Sequence, residues 1–125
     1  MNITLKLDTA QLKNETYKWI RSLRSITDEN IQLKSSLSHI IKNEFNEALL
    51  EKAEKFHNHF IKQDQLISLL RNDIVELEAL LAKANKNNLT EIRSKVIKLR
   101  ENISNALIEF GKLKEDFTSQ LSAHS

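Results

Sequence analysis

A Glu-x-x-His step, four histidines and a tyrosine set among basic residues are the features whose types and spacing invite chemistry. Glu54 and His57 have the spacing used in di-iron carboxylate bundles, where two such steps and two further glutamates converge on the metals. Here the step occurs once, and Glu54 falls on the outward side of its helical pattern. His57 and His59 stand two apart and flank the apolar seam beside Phe60, while His39 and His124 form no His-x-x-x-His pair. The absence of cysteine excludes disulfides, thiolate metal sites, iron–sulfur clusters and cysteine nucleophiles. One glycine cannot build a P-loop or a Rossmann phosphate turn. The serines lie on helices or in the tail, without a Gly-x-Ser-x-Gly elbow. The expectation is a non-enzymatic protein with no metal and no cofactor.

The second candidate is a basic cluster: Tyr17, Lys18, Arg21 and Arg24, with Lys13 nearby. On a helix Tyr17, Arg21 and Arg24 share one outward face. An aromatic ring among arginines is suited to a phosphate backbone. Glu15 and Asp28 bracket the cluster, and Arg93, Lys95, Lys98 and Arg100 are likewise interleaved with Glu91 and Glu101. Nineteen basic against 17 acidic residues give a net charge of only +2, too balanced to demand nucleic acid or anionic lipid. Nucleic-acid or phosphoanion binding through this face is the alternative function.

The elements that must carry these residues are legible from periodicity. No proline and a single glycine in 125 residues leave a sandwich or barrel little to turn with. Residues 3–8 alternate apolar and polar, with Ile3, Leu5 and Leu7 on one side, which predicts a short extended segment. Asp8 or Thr9 offers an N-cap, with Gln11 in capping-box register, and the period then turns helical.

Leu12, Thr16, Trp19, Leu23, Ile26, Asn30, Leu33, Leu37 and Ile40 recur at alternating steps of four and three, a heptad seam. The phase slips around Asn43 and Asn46, and a second seam runs from Leu49 through Phe56, Phe60, Gln63 and Ile67 to Leu81 and Ala84. The run Asn85-Lys86-Asn87-Asn88 breaks it; Asn88 with Glu91 makes a second capping-box candidate. A third seam follows from Leu89 to Phe117, with Leu121 one step off phase.

The predicted fold is all-α: an antiparallel up-down-up three-helix bundle of long helices, about 9–43, 46–85 and 89–121. A single domain over 9–122 is flanked by the extended segment 1–8 and a tail 123–125. The alternative is four unequal helices with a break near residues 25–28. Pairing residues across the turns sets Trp19 level with Leu70 and Ile103, and Leu33 level with Phe56 and Phe117. Asn30 then falls beside Phe60 and Gln63, opposite Phe110 and Leu113. Two amides in an apolar core are either a polar ligand site or, in their best-attested use, a device that fixes register.

The most informative surplus is apolar. Ile61, Leu66, Leu69, Val75 and Leu80 lie on the second helix outside its seam, joined by Ile31 on the first and Ile108 on the third. A bundle of this kind leaves outward positions to water. Five such residues on one helix point to a partner surface: a protein partner or a second copy, with a homodimer expected. The lead function is a helical protein–protein interaction module of adaptor, scaffold or chaperone-like type. The N-terminus lacks the basic and apolar regions of a secretory signal, and no run approaches the ~20 residues of a membrane span, so a cytoplasmic location without membrane contact is expected.

Overall fold

The computed structural model describes residues 8–43 and 46–121, which form three helices: α1 (Thr9–Asn43), α2 (Glu47–Ala82) and α3 (Leu89–Gln120). The alternating segment at Ile3, Leu5 and Leu7 lies outside the described residues. The helices contain 35, 36 and 32 residues, about 50 Å each at ~1.5 Å per residue. They pack as an antiparallel three-helix bundle, and α1 runs unbroken through residues 25–28, so the four-helix alternative falls away. The seam phase passes through Asn30 undisturbed, and nothing there rewards a break.

The caps follow local chemistry. The Gln11 amide donates to Asp8 Oδ1 at 3.1 Å, starting α1. Asn46 Oδ1 accepts from the amides of Ala48 and Leu49, so this residue caps α2. The capping box expected at Asn88 does not form. Asn88 Oδ1 accepts instead from the Asn85 amide, and its Nδ2 donates to the Lys83 carbonyl. That inward-turned side chain closes the turn and ends α2 at Ala82, short of the expected 85, leaving Ala84 exposed. Lys83 takes the C-cap, its amide donating back to Leu80 and Leu81.

Nearly every seam residue is buried, which is what long amphipathic helices gain by packing. Leu121 is fully buried although it stands off phase. The chain leaves helical geometry there and turns the leucine inward. The core is divided in two. The larger cluster gathers Leu12 to Ile26 of α1, Ile67 to Leu81 of α2 and Ile92 to Phe110 of α3. The smaller holds Leu37, Ile40, Ala53, Phe56, Phe60, Phe117 and Leu121. At its centre Phe117 meets Phe60 and Phe56 edge-on, with ring centroids 5.4 and 5.6 Å apart.

The division coincides with the polar layer. Asn30 is fully buried and Gln63 nearly so. Asn30 Nδ2 donates to the Phe60 carbonyl at 3.0 Å and to Asp64 Oδ1 at 2.6 Å, and Lys34 pairs with the other oxygen of Asp64. Both amide protons of Asn30 are thereby engaged with α2, which locks the height of α1 against it. Asn30 Oδ1 and Gln63 Oε1 are buried without a hydrogen-bond partner among the described residues.

Candidate interaction face

Inter-helix polar contacts fix which flank of each helix meets which. Writing the seam as heptad positions a and d, Lys34 and Asp64 are both e residues and pair across α1 and α2. One heptad back on α1 and one forward on α2, Arg71 approaches the Thr27 hydroxyl at 3.4 Å. The two helices therefore meet along their e flanks in constant antiparallel register. On the other side of α1, Glu15 takes a bidentate contact from Arg100 at 2.9 Å, and Glu29 pairs with Lys114 at 3.2 Å. Both pairs are separated by 85 residues, so α1 and α3 run parallel in one register. The Arg100 guanidinium is held above its ordinary value, first by the Glu15 hydrogen bond, with burial opposing and the Glu15 charge adding.

These registers sort the apolar surplus. The short turn and the Asn30–Phe60 contact set the heights and bring the outward b residues level: Tyr17 with Val75, Arg24 with Ser68, Ile31 with Ile61, and Ser38 with Glu54. Exposed apolar side chains thus form two level pairs, Tyr17 with Val75 and Ile31 with Ile61, about 21 Å apart at ~1.5 Å per residue. Tyr17, Val75, Ile31 and Ile61 make this ladder, and Ile41 extends it; each is between 38% and 63% exposed. The floor between the helices is polar, formed by Thr27–Arg71 and Lys34–Asp64.

The five residues singled out in the sequence do not share one face. Ile61 and Val75 belong to this ladder. Leu66 and Leu80, at g, and Leu69, at c, lie on the opposite flank toward α3. Leu66 and Leu80 are half-buried and pack against the larger core cluster, while Leu69 remains exposed. What the sequence reading missed is that Tyr17, Ile31 and Ile41 of α1 join the ladder. Tyr17 and Ile31 share position b with Ile61 and Val75, and Ile41 stands at e; which flanks face each other is not encoded in periodicity.

The basic cluster also divides. The Arg21 guanidinium lies 5.8 Å from the centre of the exposed Tyr17 ring, and Arg24 is one heptad beyond Tyr17 on the ladder side. Lys18 points instead to the open groove between α1 and α3, with Trp19, Arg93 and Arg100. Glu15 and Asp8 line that same groove, so its cations are partly neutralised. His57 lies at e, in a shallow recess with Ile41 and Glu54; His59 lies at g, toward Glu109 and Lys112. Among the described residues no group of three or more His, Cys, Asp or Glu side chains is placed to hold a metal ion. Among the described residues no helix is long and apolar enough to cross a membrane.

The sequence matches no known protein family, and neither a curated protein nor a solved structure is significantly similar to it.

Proposed function

We propose that this chain is a non-enzymatic helical protein–protein interaction module of the cytoplasm, of adaptor, scaffold or chaperone-like type, and that it self-associates. The observation that carries this reading is the ladder of Tyr17, Val75, Ile31, Ile61 and Ile41 along the α1/α2 face. Isolated exposed apolar residues are ordinary. Exposed apolar pairs recurring on one face of two adjacent helices form a surface that another amphipathic helix can cover.

The test is the solution mass by light scattering over a concentration series, for the unchanged chain and for Ile31→Asp with Val75→Asp. Both positions are more than half exposed, so the variant keeps its far-UV circular dichroism. The unchanged chain reaches twice 14.5 kDa with concentration and the variant stays at 14.5 kDa. A variant that associates as well as the unchanged chain refutes this face.

The alternative, phosphoanion binding, is favoured by the stacking of Arg21 on Tyr17 beside Arg24, neither arginine being ion-paired among the described residues. It requires an oligonucleotide affinity that falls steeply with salt.

A further inference from the structure

We propose that the α1/α2 face takes an acidic amphipathic helix of another protein, which binds there in preference to a second copy. This rests on the docking reading above and names the partner by its chemistry.

Between the two apolar pairs lies a concentration of arginine. Arg21 and Arg24 stand three apart on α1 and are neighbours on its surface. Arg71 reaches across from α2 to the Thr27 hydroxyl at 3.4 Å, one turn beyond Arg24. The heights that set Tyr17 beside Val75 and Ile31 beside Ile61 also set Arg71 level with Arg21. All three arginines are exposed, and none is ion-paired among the described residues. The carboxylates of the same stretch do not match them. Asp64 is held by Lys34, and Glu78 lies beyond the Tyr17–Val75 pair. Asp28 is left to offset three guanidinium groups.

Read along its length, the face is apolar, then basic, then apolar. A helix laid in the groove matches it with apolar residues two heptads apart and glutamate or aspartate one heptad in. Arginine pairs with carboxylates through parallel hydrogen bonds, and such complementarity selects the partner more than it adds affinity. A nucleic-acid strand satisfies the arginines but leaves Val75, Ile31 and Ile61 uncovered. A second copy covers the apolar pairs at a cost in charge. A two-fold along the groove preserves height and sets Arg21 over Arg71 of the second copy; one across it that superposes the apolar pairs sets Arg24 over its own counterpart.

The probe is a synthetic amphipathic helix of about 20 residues, long enough to span both pairs. It carries leucines two heptads apart with glutamates between them, and is titrated with the full chain by fluorescence anisotropy. Companion peptides carry glutamine for glutamate, lysine for glutamate, or alanine for leucine. The glutamate peptide binds and displaces the second copy, giving one chain per peptide by light scattering. Arg24→Gln with Arg71→Gln weakens it by about tenfold, from the loss of exposed ion pairs. Arg24→Glu with Arg71→Glu reverses the preference toward the lysine peptide. All these sites are exposed, and circular dichroism verifies the helices.

A glutamine peptide that binds as tightly as the glutamate peptide overturns the proposal, as does a charge-reversed variant that keeps its preference for glutamate. An alanine peptide that binds as tightly also overturns it, because the face then reads charge alone, as a phosphoanion site does. The two readings fail separately. A chain that dimerises and binds none of the peptides keeps the docking reading and loses this partner. A chain that stays monomeric yet binds the glutamate peptide through these arginines loses self-association and keeps the partner.

Discussion

Replacing both amides of the polar layer, Asn30→Leu with Gln63→Leu, should stabilise the bundle. Asn30 gives up two hydrogen bonds. The bond to the Phe60 carbonyl is neutral and nets about 1 kcal/mol; that carbonyl keeps its own helical donor. The bond to Asp64 is charge-assisted, but Asp64 retains Lys34 and a side chain 36% exposed, so its loss costs about 1–2 kcal/mol. Against this, two buried oxygens without partners disappear, each carrying a desolvation penalty of about 1–3 kcal/mol. Two leucines enter nearly dry positions between the apolar clusters, adding about 1.5 kcal/mol or more each.

The balance favours the double leucine variant by about 2–4 kcal/mol. For a chain of this length that is a rise of roughly 6–20 °C in melting temperature. Asn30→Ala, which loses the same bonds and leaves a void, should lower stability by about 1–3 kcal/mol. The assay is thermal and urea unfolding followed by circular dichroism. A double leucine variant that melts below the unchanged chain would show that the two oxygens are satisfied in solution and that the layer contributes stability as well as register. The expected price of the gain is uniqueness: light scattering should show a broader mass distribution once nothing locks α1 in height against α2.

Two further substitutions probe the frame of the bundle. Phe117→Ala removes the ring that bridges Phe56 and Phe60 in the smaller cluster, and should cost about 3–5 kcal/mol by urea unfolding. Gly111→Ala should add up to about 1 kcal/mol, because the residue sits inside α3 and a new Cβ meets nothing within 4 Å; a loss on the same measurement would mean that this surface is covered in solution.

The heptad phase made the inside of this molecule legible and left its outside ambiguous. Step counting places Asn30 beside Phe60 because the turn between α1 and α2 is short, and the structure brings Asn30 Nδ2 within 3.0 Å of the Phe60 carbonyl. The same counting places Leu33 level with Phe56 and Phe117, and Leu33 packs against the cluster that contains them. Ends were less legible. Asn88 has the spacing of a capping box, yet its side chain finds Asn85 and Lys83 in the turn first, a competition between local hydrogen bonds that spacing does not resolve. Leu121 is out of phase but buried, because phase governs a residue only while the chain is helical.

The candidate site lies where periodicity carries least information. A seam is symmetric about its centre: positions b and e on one flank, c and g on the other, are equivalent until the hand of the bundle is known. Five off-seam residues on α2 therefore looked like one stripe, although Ile61 and Val75 face α1 while Leu66, Leu69 and Leu80 face α3. A few polar pairs break that symmetry. Lys34 with Asp64 and Thr27 with Arg71 assign the e flanks to the α1/α2 contact, and Glu15 with Arg100 and Glu29 with Lys114 assign the opposite flank of α1 to α3. Individually such exposed pairs add at most about 1 kcal/mol. Their larger consequence is to choose the hand, and the hand decides which exposed apolar residues become neighbours. Isolated on its own helix, Ile31 is an ordinary surface isoleucine; level with Ile61 of α2 it becomes half of an exposed apolar pair.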